Sequence, residues 1–87
     1  MANSENISEV VGTINDIMID VFDLDDLDIN ELTSADDIEG WDSLSHLRLV
    51  TQVEVHYGIR FSTAEVASFA NVGDMARTIV GKINGRA

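Results

Sequence analysis

The sequence predicts an all-α fold: a four-helix bundle with a long first loop and a short third helix. Three observations predict it. Apolar residues recur at three- and four-residue steps in three long stretches, with a shorter helical pattern before the last. Short polar residues that cap helices stand ahead of these stretches. The chain has neither proline nor cysteine, so no disulfide or zinc-type staple is available and helix packing has to supply the stability. Its 87 residues are read as one domain, 1–87, with a thin core.

The first helix is expected over about residues 6–22, where Ile7, Val10, Val11, Ile14, Ile17, Met18 and Val21 share one face. Asn6 and Glu9 have the spacing of a capping box, in which each side chain takes up the other residue's backbone N–H. Gly12 weakens a helix by about 1 kcal/mol relative to alanine. Its place inside the pattern predicts a close neighbour and a helix held by packing.

Residues 23–42 lose the helical period and carry most of the acid. A loop of this length is unusual in a compact domain. Leu24, Leu27, Ile29, Leu32 and Ile38 are scattered through it, whereas a disordered segment would be poor in such residues, so a loop pinned over the core is expected. Asp26, Asp28, Asn30 and Asp37 match the first, third, fifth and twelfth positions of a calcium-binding loop. However, Glu31 stands where that loop needs glycine, and Asp37 is shorter than the usual bidentate glutamate. The stretch is read as a solvated acidic loop with no metal site.

The second helix is expected over 43–57. At 100° per residue, His46, Leu49, Val50, Val53 and Tyr57 fall on one arc with Leu47 at its edge, and Ser45, Arg48, Gln52 and His56 lie on the wet side. Gly58 is placed to close it in the left-handed conformation, returning Ile59 and Phe61 to the core. Ser62 and Glu65 form a second capping box over a short helix at 62–67. The last helix, 72–84, opens at Asn71 and carries the stripe Val72, Met75, Ala76, Ile79, Val80 and Ile83. Gly85 ends it, and Lys82 and Arg86 complement its dipole.

The junction Gly40-Trp41-Asp42-Ser43-Leu44 carries the functional signal. A serine at the tip of a helix holds its hydroxyl in water, and the first-turn amides and the positive end of the helix dipole favour a phosphate attached or bound there. Ser43 is therefore the leading candidate. His46, one turn on, points toward the apolar side and is read either as hydrogen-bonded at the core's edge or as lining a pocket. A Ser43–His46 hydrolase is a much weaker reading, because the chain offers neither a Gly-x-Ser-x-Gly elbow nor length enough for oxyanion donors, an orienting third group and a cleft.

Within a small acidic helical chain, Asp42-Ser43-Leu44 resembles the attachment motif of acyl carrier proteins. Leu47, Leu49, Val50, Val53 and Tyr57 fall where that family's second helix is apolar. Gly58 through Phe61, Glu65, Phe69 and Val72 continue without a gap, so the likeness covers roughly the whole chain. It implies the family's bundle with its long first loop, and a stand-alone, non-catalytic carrier. Ser43, flanked by Asp42 and Leu44, would bear a covalent 4′-phosphopantetheine arm whose thiol holds acyl groups as thioesters. A phosphopantetheinyl transferase and acyl-activating or acyltransferase enzymes are the implied partners, in fatty-acid, polyketide or specialised acyl-transfer biosynthesis. Ser45, Arg48, Gln52 and Glu54 would be read by those partners. His46, Val50, Phe61, Val66 and Phe69 would border an acyl pocket, or simply pack the core.

One departure stands out. Fatty-acid carriers usually place acids two and five positions after the serine, where this chain has Ser45 and Arg48. Arg48 reverses the local charge and repels a basic docking surface built for the usual pattern, which points to a specialised carrier with dedicated enzymes. Gly40-Trp41-Asp42 favours an acyl carrier over an aminoacyl or peptidyl one. A non-catalytic helical adaptor or a calcium-binding protein would also suit a small acidic helical chain, though less well.

Sixteen acidic residues against five basic give a net charge of −11. Such a surface lacks the basic patch that nucleic acid requires and the polybasic stretch that anionic lipid requires. Basic protein surfaces are the expected docking targets. No apolar run approaches the length of a membrane span and no signal-peptide pattern opens the sequence, so a cytoplasmic monomer is expected.

Overall fold

Four α-helices form among the described residues, and each begins where a side chain takes up an otherwise unpaired N–H: α1 (Ile7–Val21), α2 (Ser43–Tyr57), α3 (Thr63–Ser68) and α4 (Val72–Asn84). The computed structural model describes residues 6–38 and 40–85, and no strand occurs among them. Asn6 and Glu9 close the expected capping box on α1, and Ser62 and Glu65 do the same on α3. Asn71 accepts from the Asp74 N–H to start α4. Gly58 ends α2 with φ 67°, a left-handed conformation that glycine adopts without a Cβ penalty. Arg86, expected near the end of α4, lies outside the described residues.

The core is built from the apolar faces of the three long helices. Val10, Ile14 and Met18 of α1, Leu49 and Val53 of α2, and Val72, Met75 and Ile79 of α4 are fully buried. α1 packs against both α4 and α2. Each such side chain contributes about 1.5–3 kcal/mol through its removal from water, which is how a chain without staples holds together.

The first loop is pinned. Ile29 and Ile38 are buried and Leu27 packs on the core, whereas Leu32 is 81% exposed and takes no part. The Ile29 N–H donates to Asn15 Oδ1 at 3.2 Å, tying the loop to α1. Farther along, the Val72 and Gly73 N–H groups donate to the Thr33 and Glu31 carbonyls, both at 2.8 Å. The first turn of α4 thus satisfies its orphan donors on the loop's backbone. Arg77 adds ion pairs to Glu31 and Asp74. Within the loop, Ala35–Asp37 form a 3₁₀ turn that the sequence pattern does not disclose, closed by Asp37, whose carboxylate accepts from the Ser34 N–H at 2.9 Å.

Two further expectations are corrected. Gly12 is exposed, with nothing beyond its own helix and neighbours within 4 Å of where a Cβ would stand, so it marks no close approach; the helical glycine that approaches another element is Gly73, where a Cβ would lie 2.8 Å from the Glu31 carbonyl oxygen. Leu47, expected at the edge of the buried arc, is 56% exposed, because the buried stripe of α2 is narrowed to Leu49, Val50 and Val53. Lys82 does more than face the α4 dipole: its Nζ pairs with Glu65 at 2.9 Å and stands 5.8 Å from the Phe61 ring centroid, joining α4 to α3.

The two glycines make opposite predictions. Gly73→Ala forces a methyl onto a backbone oxygen that cannot move freely, and should lower stability by about 1–3 kcal/mol in urea unfolding. Gly12→Ala, in open space within a helix, should raise it by about 0.5–1 kcal/mol.

Candidate functional site at the start of the second helix

The approach to Ser43 is set by backbone geometry. Gly40 takes φ 92°, a conformation reserved in practice for glycine, and the Trp41 N–H donates back to the Ile38 carbonyl at 3.3 Å. Asp42 is the N-cap of α2: its Oδ1 accepts from the Ser45 N–H at 2.9 Å, and its carbonyl accepts the first helical bond from His46 at 2.8 Å. Ser43 is therefore the first helical residue. It is exposed, and among the described residues neither its hydroxyl nor its N–H has a partner. An exposed, unengaged hydroxyl at the N-terminus of a 15-residue helix is what a covalent phosphodiester requires.

A relay beside Ser43 joins three elements. Trp41 Nε1–H donates to His46 Nδ1 at 3.1 Å, which makes Nδ1 the acceptor of the neutral ring and leaves the proton on Nε2. Nε2 then donates to the Val66 carbonyl of α3 at 3.3 Å. The rings of Phe22, Trp41, His46, Phe69 and Phe61 follow one another with neighbouring centroids 5.3–6.4 Å apart. Both readings of His46 describe its place: it is hydrogen-bonded at the core's edge and it borders the open groove beside Ser43. In the sequence Trp41 is visible only as part of the Gly-Trp-Asp motif, since a spacing of five residues from a histidine carries no diagnostic pattern.

An open groove of about 390 Å³ runs from Ser43 between α2 and α3, lined chiefly by Trp41, Asp42, His46, Val66 and Phe69. Three of the candidate pocket residues, His46, Val66 and Phe69, therefore come together there. Val50 and Phe61 do not: Val50 is 5% exposed and belongs to the core, and Phe61 packs edge-on to Phe69 without lining the groove. Among the candidate recognition residues, Arg48 and Gln52 are exposed and Ser45 is half-buried. Glu54 is half-buried and its carboxylate accepts from the Phe61 N–H at 2.9 Å, fixing the exit from α2. In the first loop, Asn30 and Asp37 use carboxamide and carboxylate oxygens on the Leu32 and Ser34 N–H groups, and no group of three or more His, Cys, Asp or Glu among the described residues could hold a metal ion.

Three carboxylates at helix starts are held below the usual carboxylate range. For Asp42 the chief cause is the Ser45 amide, aided by the Ser45 hydroxyl and the Leu44 amide. For Glu65 it is the Ser62 amide and then Lys82, and for Asp74 the Ala70 amide and then Arg77. Amides stabilise the charged form in all three, and for Glu65 and Asp74 a cation adds to them.

Known proteins share both the motif and the fold. The chain belongs to the family defined by a phosphopantetheine attachment site, whose model matches residues 12–79. It is also similar to a holo acyl carrier protein from Geobacter metallireducens solved by NMR in solution, with 36% identity, a TM-score of 0.77, and coverage of 90% of this chain and 94% of that one. No curated protein matches it significantly. The all-α, acyl-carrier-type fold is thus borne out, as is the reading of a non-catalytic carrier with covalently attached 4′-phosphopantetheine.

The Asp42 cap yields a signed pH prediction. Asparagine caps a helix about as well as aspartate, so Asp42→Asn isolates the charge. A carboxylate depressed in the folded state contributes stability above its unfolded value of about 4 and loses it as pH falls through the folded one. Wild-type stability relative to Asp42→Asn should therefore rise from about pH 2 to about pH 5 and stay level above that. Thermal melts across this range check it; a difference that does not vary with pH contradicts it. Separately, Trp41→Phe removes the donor to His46 and should destabilise by about 1 kcal/mol in urea.

Proposed function

We propose that Ser43 is the residue that carries the 4′-phosphopantetheine arm, and that the protein is a specialised acyl carrier served by its own set of enzymes. The observation that carries this reading is the free Ser43 hydroxyl, held at the first position of α2 by the Asp42 cap. A phosphopantetheinyl transferase would move the arm from coenzyme A onto that hydroxyl. The group supplies a thiol that holds an acyl chain as a thioester.

The chain's own residues do the remaining work without chemistry. Asp42 fixes where the helix starts and so where the arm is tethered. Gly40 turns the loop into the helix, and Leu44 presents an apolar side chain beside the serine, 64% exposed. Ser45, Arg48 and Gln52 offer partners a face on which the acids usual for fatty-acid carriers are missing, which supports a pathway other than bulk fatty-acid synthesis. No helix among the described residues is long and apolar enough to cross a membrane.

Incubation with coenzyme A and a broad-specificity phosphopantetheinyl transferase tests the assignment by intact mass. Wild type should gain one arm and Ser43→Ala none, with both proteins equally folded by circular dichroism. Failure of wild type to gain the arm, or a gain on Ser43→Ala, contradicts it.

A further inference from the structure

The Trp41–His46–Val66 relay closes in one protonation state only. An indole Nε1–H donates and never accepts, and a backbone carbonyl accepts and never donates. His46 meets both with a neutral ring, accepting from Trp41 at Nδ1 over 3.1 Å and donating from Nε2 to Val66 over 3.3 Å. A second proton on the ring turns both nitrogens into donors. The Val66 bond then survives as a charge-assisted one, while on the other side two N–H groups face each other.

The two rings offer no substitute for the lost bond. Their centroids are 6.0 Å apart and their planes 26° apart, while the bonded nitrogens are 3.1 Å apart, so the rings meet by their edges. An imidazolium held there by Val66 faces the N–H edge of the indole and not the π face that attracts a cation. The indole is the partner that gives way. His46 is anchored to α3 through Val66 and through the Phe69 ring, 6.4 Å away edge-on, whereas the half-buried Trp41 has Phe22 as its other ring neighbour among the described residues, at 6.2 Å.

The charged groups around the ring leave this response to His46. In the groove lining, Asp42 is the one charged side chain, and its carboxylate is engaged by the Ser45 amide. On α3, Glu65 adjoins Val66 and is paired with Lys82 of α4 at 2.9 Å. On the loop side, Asp36 beside Ala35 is exposed and Asp37 accepts from the Ser34 N–H. On the α1 side, Asp23 follows Phe22 and is exposed. Among the described residues no lysine or arginine lines the groove.

We propose that His46 is a proton-operated latch beside Ser43. Neutral, it holds Trp41 in place as one wall of the groove; protonated, it keeps its bond to α3 and releases Trp41. Because Trp41 directly precedes Asp42, the cap of α2, release loosens the approach to the helix start while the cap itself stays formed. The latch works whether or not Ser43 carries the arm, so its failure and that of the carrier reading are separate outcomes.

Trp41 is the sole tryptophan, so its indole N–H gives one resolved signal in isotope-labelled protein. The full chain, with and without the arm, is followed from about pH 8 to about pH 5, the range in which histidine side chains generally change charge, with circular dichroism checking that helicity is constant. The indole proton should move upfield on the same titration curve as the His46 ring. At the acid end it should exchange with water about two- to tenfold faster than in His46→Asn at the same pH. Asparagine places a carbonyl oxygen near the position of Nδ1, accepts from Trp41 and does not titrate, so the signal of that variant should stay level. His56→Gln removes the other histidine, which is exposed, and should leave the wild-type curve unchanged. An indole signal that stays level while His46 titrates, a His46 ring that does not titrate in this range, or a change that persists in His46→Asn would overturn the proposal. The nitrogen–nitrogen coupling across the Trp41–His46 bond needs no variant: it should be seen at the alkaline end and vanish at the acid end, and its persistence there, or its absence throughout, would also overturn it.

Discussion

The position at which α2 begins is the constraint on which the rest depends. A single hydrogen bond, from the Ser45 amide to the Asp42 carboxylate, decides that Ser43 is the first helical residue. Had the helix begun after Ser43, the hydroxyl would stand on irregular chain rather than in the first turn, at the positive end of the helix dipole. The Gly40 turn enforces the same start from the other side, because its positive φ brings the chain in at an angle that side-chain-bearing residues rarely adopt.

The bundle around this point is braced at its weak places. A long loop and a six-residue helix are poor structural elements alone, and both are tied to longer ones. α3 is held by the His46 bond to Val66 and by the Lys82–Glu65 pair, with the aromatic series filling the space between. The first loop hangs from the N-terminus of α4 through two backbone bonds, which is why Gly73 has to lack a side chain. These ties leave the serine exposed beside a hydrogen-bonded and packed surround, which suits the tether proposed for it.

Much of this was legible in the sequence, for local reasons. The capping boxes at Asn6 and Ser62 and the left-handed Gly58 are set by neighbouring residues alone, and the motif around Ser43 is local as well. What escaped depends on partners distant in the chain. Gly12 and Gly73 look alike in a helical pattern, and only the fold brings the Glu31 carbonyl to one of them. The Trp41–His46–Val66 relay spans the loop end, α2 and α3, so no spacing rule reveals it. Helical projection set Leu47 at the edge of the buried arc although it is exposed, since it gives the direction of a face but not where the neighbouring helix ends. Charge counting over the whole chain likewise hid the fact that α2 is nearly free of acid.

The most direct measurement is a peptide map, by mass spectrometry, of the protein recovered from the cells that naturally make it. The account predicts that the segment from Gly40 to Arg48 carries a phosphopantetheine group and that fragmentation assigns it to Ser43. A bare Ser43 in a sample where the group is found on another serine, or on none, would contradict it.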